Sequence, residues 1–329
     1  MDNALDPRPA IALSWAMIAV MALITLASLV WLGVSAPASS LPVALVALVA
    51  TLLAFHLRLH RIPRILVGTA AFLQFCLILP IGMLLSFAAA ASDAPFRDGL
   101  LLAADRALGF DWMTYAQWVD SRPWVAIAYR AAYLSFMMQP PLLIALLAWQ
   151  GGFRRLHLFS FAFSFTLTVT CLIFYFVPAV SIYAHLQVPP ESFRNLHPVS
   201  TFQHLEFIEG MRAGTMAWID PLKGAGLITF PSFHACGAVL LAWGFWGVRA
   251  ARTPALLLNL TMLASTPLDG AHYLVDVIGG VLLAAAGIAI ARALERRLGP
   301  GLAQGVARAC APLAAHPAFA RRPSPTAAG

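Results

Sequence analysis

The chain has 329 residues, 60% of them hydrophobic and 11% charged, with a mean hydropathy of +0.80. A soluble domain carries roughly 25% charged residues, so the composition excludes an ordinary soluble globular protein and points to a membrane protein. The formal net charge of +7 is no nucleic-acid footprint, because the arginines stand between apolar runs and form no groove-like patch.

Crossing about 30 Å of hydrocarbon takes about 20 apolar residues. In chain order the candidate runs are 11–33, 41–57, 65–90, 124–148, 156–178, 231–249, 254–268 and 270–294. They predict an all-α polytopic transmembrane helical bundle of about eight spans. The first run is too long for a signal peptide, and its leading segment holds Arg8 against Asp2 and Asp6, so it reads as a retained span. Cys76, Cys171, Cys236 and Cys310 are scattered without a CxxC and read as small packing residues, not as a disulfide framework or a metal site.

Orientation follows from the basic residues. With the N-terminus in the cytoplasm, 14 of the 21 Lys and Arg residues fall inside, in short segments such as Arg58–Arg64, Arg154–Arg155 and Arg249–Arg252. Both termini are then cytoplasmic, in an inner (plasma) membrane. Two long loops, 91–123 and 179–230, lie on the extracytoplasmic side. Asp111 is placed to cap a short helix carrying Trp112, Tyr115 and Trp118 at the headgroup level. Phe202, Leu205 and Ile208 repeat that pattern, and 215–229 reads as a turn or hairpin. The loops fit either a surface cap or a substrate portal. His185, His197 and His204 read as solvated loop residues, and His157 as a cytoplasmic histidine touching lipid phosphate. From Gly299 the Ala/Pro/Arg-rich tail reads as disordered.

Ionisable groups near spans are expensive and carry a functional hypothesis. Phe230-Pro231-Ser232-Phe233-His234 puts a hydroxyl, an imidazole and a helix N-terminus at the outer mouth of the sixth span, with Pro231 in the first helical turn. Asp269-Gly270-Ala271-His272-Tyr273-Leu274-Val275-Asp276 follows. His272 and Asp276 are four residues apart, so on a helix they share one face and the carboxylate can fix the imidazole tautomer. Asp269 reads as a helix cap, and Gly279, Gly280 and Gly287 as close helix-packing positions.

PSxH followed by HxxxD resembles the second and third signatures of the type 2 phosphatidic acid phosphatase (PAP2) superfamily. The stretch Gly270–Gly280 looks like its inositolphosphotransferase, or inositol phosphorylceramide synthase-like, branch. The resemblance implies a six-span catalytic core over 65–298, with 1–64 as a two-span N-terminal extension and 299–329 as the tail. It implies His272 as nucleophile, Asp276 as its orienting partner, His234 as the acid for the leaving oxygen, and Ser232 as a phosphate ligand. It implies a membrane lipid substrate and no metal or cofactor.

The chain departs from the family pattern at its cations. The third signature usually begins Ser-Arg, and here those positions are Ser265 and Thr266. Of the first signature only the Arg122-Pro123 pair is present, without its lysine. Phosphoryl transfer needs positive charge on the equatorial oxygens. The substitute expected here is Arg130, with Tyr133 one turn on, and Arg122, Arg212 and Lys223 are rivals. The leading reading is a lipid phosphate phosphatase acting through a phosphohistidine. A lipid phosphotransferase with an alcohol acceptor is the alternative, and a non-catalytic scaffold or transporter on the same fold is the second alternative.

Overall fold

The computed structural model describes residues 7–34, 63–216, 219 and 226–314. The expected second span, 41–57, and Lys223 lie outside the described residues, as does most of the turn expected over 215–229. The described chain is all-α. Its helices are α1 Arg8–Leu32, α2 Pro63–Ala90, α3 Asp98–Ala107, α4 Trp112–Asp120, α5 Pro123–Leu134 and α6 Gln139–Gln150. They continue with α7 Phe153–Phe176, α8 Ile182–Leu186, α9 Leu205–Arg212, α10 Phe233–Phe245, α11 Arg252–Asp269 and α12 Leu274–Ala314.

Among the described residues four helical stretches are long and apolar enough to cross a membrane: Arg8–Leu32, Val67–Ala90, Phe153–Phe176 and Leu274–Leu298. The expected span 124–148 is broken. Its halves meet at 58° across the turn Ser135–Met137, because Pro140 and Pro141 lack the N–H groups needed to continue α5 and instead start α6. The bend carries buried Phe136 against Gly237 of α10, where an added Cβ would lie 2.2 Å from its ring. The expected span 231–249 is the shorter α10, 13 residues or about 20 Å. α12 runs past Gly299, where the tail was expected to begin, through Ala314.

α1 packs against α7, α2 and α12. A buried polar triad fastens it: Gln74 Nε2 donates to Ser14 Oγ at 2.9 Å, and His157 Nδ1 lies 3.3 Å from Ser14 Oγ and 3.2 Å from Gln74 Oε1. His157 is therefore not the lipid-facing residue expected from its arginine neighbours; it is buried, and its ring spends Nδ1 on that triad.

One end of the bundle carries a cap with its own apolar core. Asp111 accepts the Thr114 N–H at 2.6 Å and starts α4 as its sequence position predicts. Trp112, however, does not sit at the headgroup level. It is 2% exposed, packed edge-on to Tyr183, with Nε1 donating to the Pro267 carbonyl, while Trp118 keeps the exposed face. The ends of α2, α7, α11 and α12 meet here. Arg97 N–H donates to the Pro178 carbonyl at 2.8 Å, and the Val199 and Ser200 N–H groups donate to the Asp269 carbonyl at 3.1 and 2.9 Å.

A membrane orientation follows as a prediction. Reporter fusions after Ser200 and after Arg297 are expected to report opposite sides, with Ser200 extracytoplasmic. A cytoplasmic signal at Ser200 would turn the whole cap inward and defeat the positive-inside argument.

Candidate active site

Helix ends build the site. α10 begins at Phe233, and Ser232 is its cap: the Oγ accepts the Ala235 N–H at 3.3 Å. Pro231 precedes this cap and is not in the first helical turn, because the serine side chain takes the capping position. The Ser232 N–H donates to the Asp276 carbonyl at 2.9 Å, so the PSxH turn is tied to the HxxxD segment through the backbone. His234, in the first turn of α10, lies face to face with Tyr133 at 4.1 Å and against Phe136 at 4.7 Å. Its Nδ1 is 3.1 Å from the Tyr133 hydroxyl.

α12 begins at Leu274, so His272 precedes the helix and does not share a helical face with Asp276 as the i,i+4 reading expected. The pair forms by another route. Ala271 takes φ 59°, a left-handed turn that a non-glycine residue adopts only when its surroundings demand it. Asp276, the third residue of α12, then reaches back over the helix start. Its Oδ2 accepts the Tyr273 N–H at 2.9 Å and lies 3.2 Å from His272 Nδ1. This is the acid of a capping box, used here to hold an imidazole as well. Asp276 is fully buried and His272 4% exposed.

Asp276 and Tyr133 thus each occupy the Nδ1 of one histidine, which leaves both Nε2 atoms for chemistry. Gly270 brings the pairs together. A Cβ there would stand 2.8 Å from His272 Cδ2, 2.8 Å from the Tyr133 hydroxyl and 2.9 Å from the Thr266 carbonyl. His234, His272 and Tyr133 line one cavity of about 350 Å3. Leu134, Phe136, Met137 and Ile228 make its apolar wall, and Ser200 and Gln203 of the cap its polar wall. Gln203 Oε1 accepts from the Thr201 N–H at 2.9 Å, so the amide N–H groups remain as the donors of that wall.

The cations are placed differently from one another. None of the cavity's described lining residues is Arg or Lys. Arg130 is exposed, one turn from Tyr133, with Nη1 donating to the His197 carbonyl, and its charge acts on Asp269. Arg122 bonds the Trp118 carbonyl at 2.8 Å and covers the Trp118 ring, away from the cavity. Arg212 bonds the Ala94 carbonyl and covers Phe96. Asp269 ends α11 fully buried, and neither carboxylate oxygen has a partner among the described residues. It caps no helix with its side chain. A buried unpaired carboxylate costs several kcal/mol, so the Arg130 charge beside it has an electrostatic task already.

The sequence reading missed two carboxylates. Asp105 accepts the Leu274 N–H at 2.8 Å and the Val275 N–H at 2.9 Å, filling two of the donors that a helix start leaves open. Asp98 accepts the Tyr273 hydroxyl at 2.9 Å and the Val180 and Ser181 N–H groups. Both are buried. Burial pushes the Asp105 carboxyl up from the ordinary range, and the Leu274 and Val275 N–H groups pull against it. A signal was available: Asp98, Leu101 and Asp105 fall at i, i+3 and i+7, one helical stripe, and acids on an apolar stripe want partners. His204 was also misplaced. It is buried with Nε2 on the Val180 carbonyl, and burial lowers its pKa against the pull of that carbonyl.

A family model described as PAP2 superfamily matches residues 99–290, which takes in the site from Tyr133 to Asp276 and leaves α2 outside. No curated protein and no solved structure matches the chain.

Proposed function

The chain belongs to the PAP2 superfamily, and from that premise we propose that it is a lipid phosphate phosphatase acting through a phosphohistidine on the extracytoplasmic face of the membrane. The observation that carries the reading is the pair of histidines, each held at Nδ1, on one cavity that is apolar on one wall and polar on the other. An ester with a lipid body and a phosphate head matches that division.

His272 Nε2 attacks phosphorus, the P–N bond forms and the P–O bond to the lipid breaks. His234 enters as the imidazolium, its Nδ1–H donating to the Tyr133 hydroxyl oxygen; its Nε2 proton passes to the leaving alkoxide and leaves the ring neutral. Water then attacks phosphorus, gives its proton to His234 Nε2, and the P–N bond breaks to release phosphate. Asp276 balances the charge that His272 gains on phosphorylation. The phosphate oxygens are met by the start of α10, where the helix dipole favours anions. Arg130 joins them by leaving the His197 carbonyl. Ser232 positions α10 through its cap and its backbone bond to Asp276. Arg122, held on Trp118, has no part in this reading.

A second reading keeps the same phosphohistidine and replaces water with an alcohol. Ser200 and Gln203 favour it, because they offer hydroxyl and amide groups on the cavity wall under a cap that shields the site. Hydrolysis stands first, since it needs no acceptor beyond water. The deciding experiment supplies a labelled diacyl lipid phosphate to purified protein, with and without a lipid or polyol alcohol. Inorganic phosphate released without acceptor is the expected result. Turnover only with acceptor, yielding a new phosphodiester lipid, would replace the phosphatase by the transferase.

A further inference from the structure

Asp269 ends α11 next to Gly270, which lines the catalytic cavity. A buried carboxylate needs hydrogen-bond donors and a cation. Asp269 is 0% exposed, and neither of its oxygens has a hydrogen-bond partner among the described residues. The phenols within reach of its charge are Tyr115, Tyr133 and Tyr183, and none of them serves it. The Tyr115 hydroxyl donates to the Ala264 carbonyl at 2.9 Å, and the Tyr133 hydroxyl meets Nδ1 of His234 at 3.1 Å. The Tyr183 hydroxyl is buried and makes no bond to the carboxylate.

The charge of Arg130 acts on Asp269, although its Nη1 donates to the His197 carbonyl instead. α5, which carries Arg130, packs along α11. The His197 carbonyl belongs to a loop segment that is itself tied to Asp269: two residues on, the Val199 and Ser200 N–H groups donate to the Asp269 carbonyl at 3.1 and 2.9 Å. Val199 and Ser200 also line the catalytic cavity. The guanidinium therefore rests at the border between that cavity and an unpartnered acid. A guanidinium is a planar fork with donors on more than one edge, so it can hold a carboxylate and a phosphate at once.

We infer that Asp269 is a positioning residue for phosphate binding: it draws the Arg130 guanidinium off the His197 carbonyl and holds one edge of it, so that another edge meets the phosphate in the catalytic cavity. The inference rests on the phosphate reading of that cavity, and it says which group brings a cation to a wall whose described residues include neither Arg nor Lys. Its sign is distinctive. By charge alone a buried carboxylate beside an anion site repels the anion, whereas a carboxylate that anchors the arginine strengthens binding.

The test is calorimetric titration of the full-length protein in detergent micelles with a dioleoyl lipid phosphonate, in which a P–C bond replaces the scissile P–O bond. Because the phosphonate is not cleaved, the titration reads the site independently of turnover. Asp269→Asn and Arg130→Gln are each expected to weaken binding about fivefold or more, the scale of coupling within one ion-pair network. In the Arg130→Gln background, Asp269→Asn should weaken it no further. Tyr183→Phe should bind as the parent does. Arg130→Lys keeps the charge without the fork and is expected to lose binding as well, and this exposed position tests the bridge even where Asp269→Asn fails to fold. Tighter or unchanged binding by folded Asp269→Asn, losses that multiply in the double variant, an equal loss for Tyr183→Phe, or parental binding by Arg130→Lys would overturn the bridge and leave the phosphate site standing. No binding by the parent would overturn the phosphate reading of the cavity, and this inference with it.

Discussion

Replacing His272 with alanine is expected to reduce turnover of a lipid phosphate by about 10^4-fold or more, the usual scale for removing a nucleophile, while the protein still inserts and folds. Among the described residues the ring makes one hydrogen bond, to Asp276, and the helix start keeps its other fastenings: Asp105 on the Leu274 and Val275 N–H groups and Asp276 on the Tyr273 N–H. Asp276→Asn is expected to cost less, roughly 10^2 to 10^4-fold. The amide oxygen can still accept the Tyr273 N–H, so the cap survives and chiefly the charge beside His272 is lost. His234→Ala should fall steeply with a lipid phosphate and much less with a substrate whose leaving group needs no proton. Phosphate release in mixed micelles, with phosphoprotein trapped by an alkaline denaturing quench that preserves the acid-labile P–N bond, reads all three variants. More than a tenth of parental turnover in His272→Ala would remove the phosphohistidine, and it would revive the reading of a non-catalytic protein on this fold.

Gly280→Ala is expected to inactivate the protein through the backbone and not through any reacting group. A Cβ at Gly280 would stand 2.3 Å from the Ser232 carbonyl oxygen and 3.0 Å from the Cys236 nitrogen. Neither atom belongs to a side chain that can turn aside, so α10 and α12 must separate. These two helices bring together His234, Ser232 and the His272–Asp276 pair. A shift of about 1 Å in such a constellation costs about 10^2-fold in rate, and overpacking itself costs about 1–3 kcal/mol of stability. Gly287→Ala is the control. Its Cβ would meet Thr166 Cγ2 at 2.5 Å, a side-chain methyl two turns further along α12. It should lower the melting temperature yet leave the kcat of the folded fraction within severalfold. Parental kcat in Gly280→Ala would show that the close approach of these helices does not set the site.

The sequence by itself determined the class of the chain and where the motifs of the candidate site stand in it. Sixty per cent hydrophobic residues with 11% charge leave little besides membrane helices, since each backbone polar group in lipid must be satisfied within its own segment. The local order Ser232, His234, His272, Asp276 was legible, and so was Asp111 as a helix cap, because capping acts over a few residues, although the His272–Asp276 contact forms through a turn and not on the helical face expected. The bend at Gln139-Pro140-Pro141 was equally local in cause but was read past as one apolar run.

Tertiary structure alone decided which distant groups serve that short list. Tyr133 was expected on phosphate and lies on His234, 101 residues away. Asp98 and Asp105 carried no assignment from the sequence, and they hold the His272 turn across separations of 169 to 175 residues. Arg122 and Arg130, eight residues or about two helical turns apart, went to Trp118 and to the His197 carbonyl. A side chain's own neighbours in sequence state its charge and its helical face. They do not state whether water or a partner from another segment will satisfy it, and for a carboxylate or a guanidinium that difference amounts to several kcal/mol. Burial is fixed only when segments far apart in sequence pack, which is why the motif residues of the candidate site could be read in advance and the groups that hold them could not.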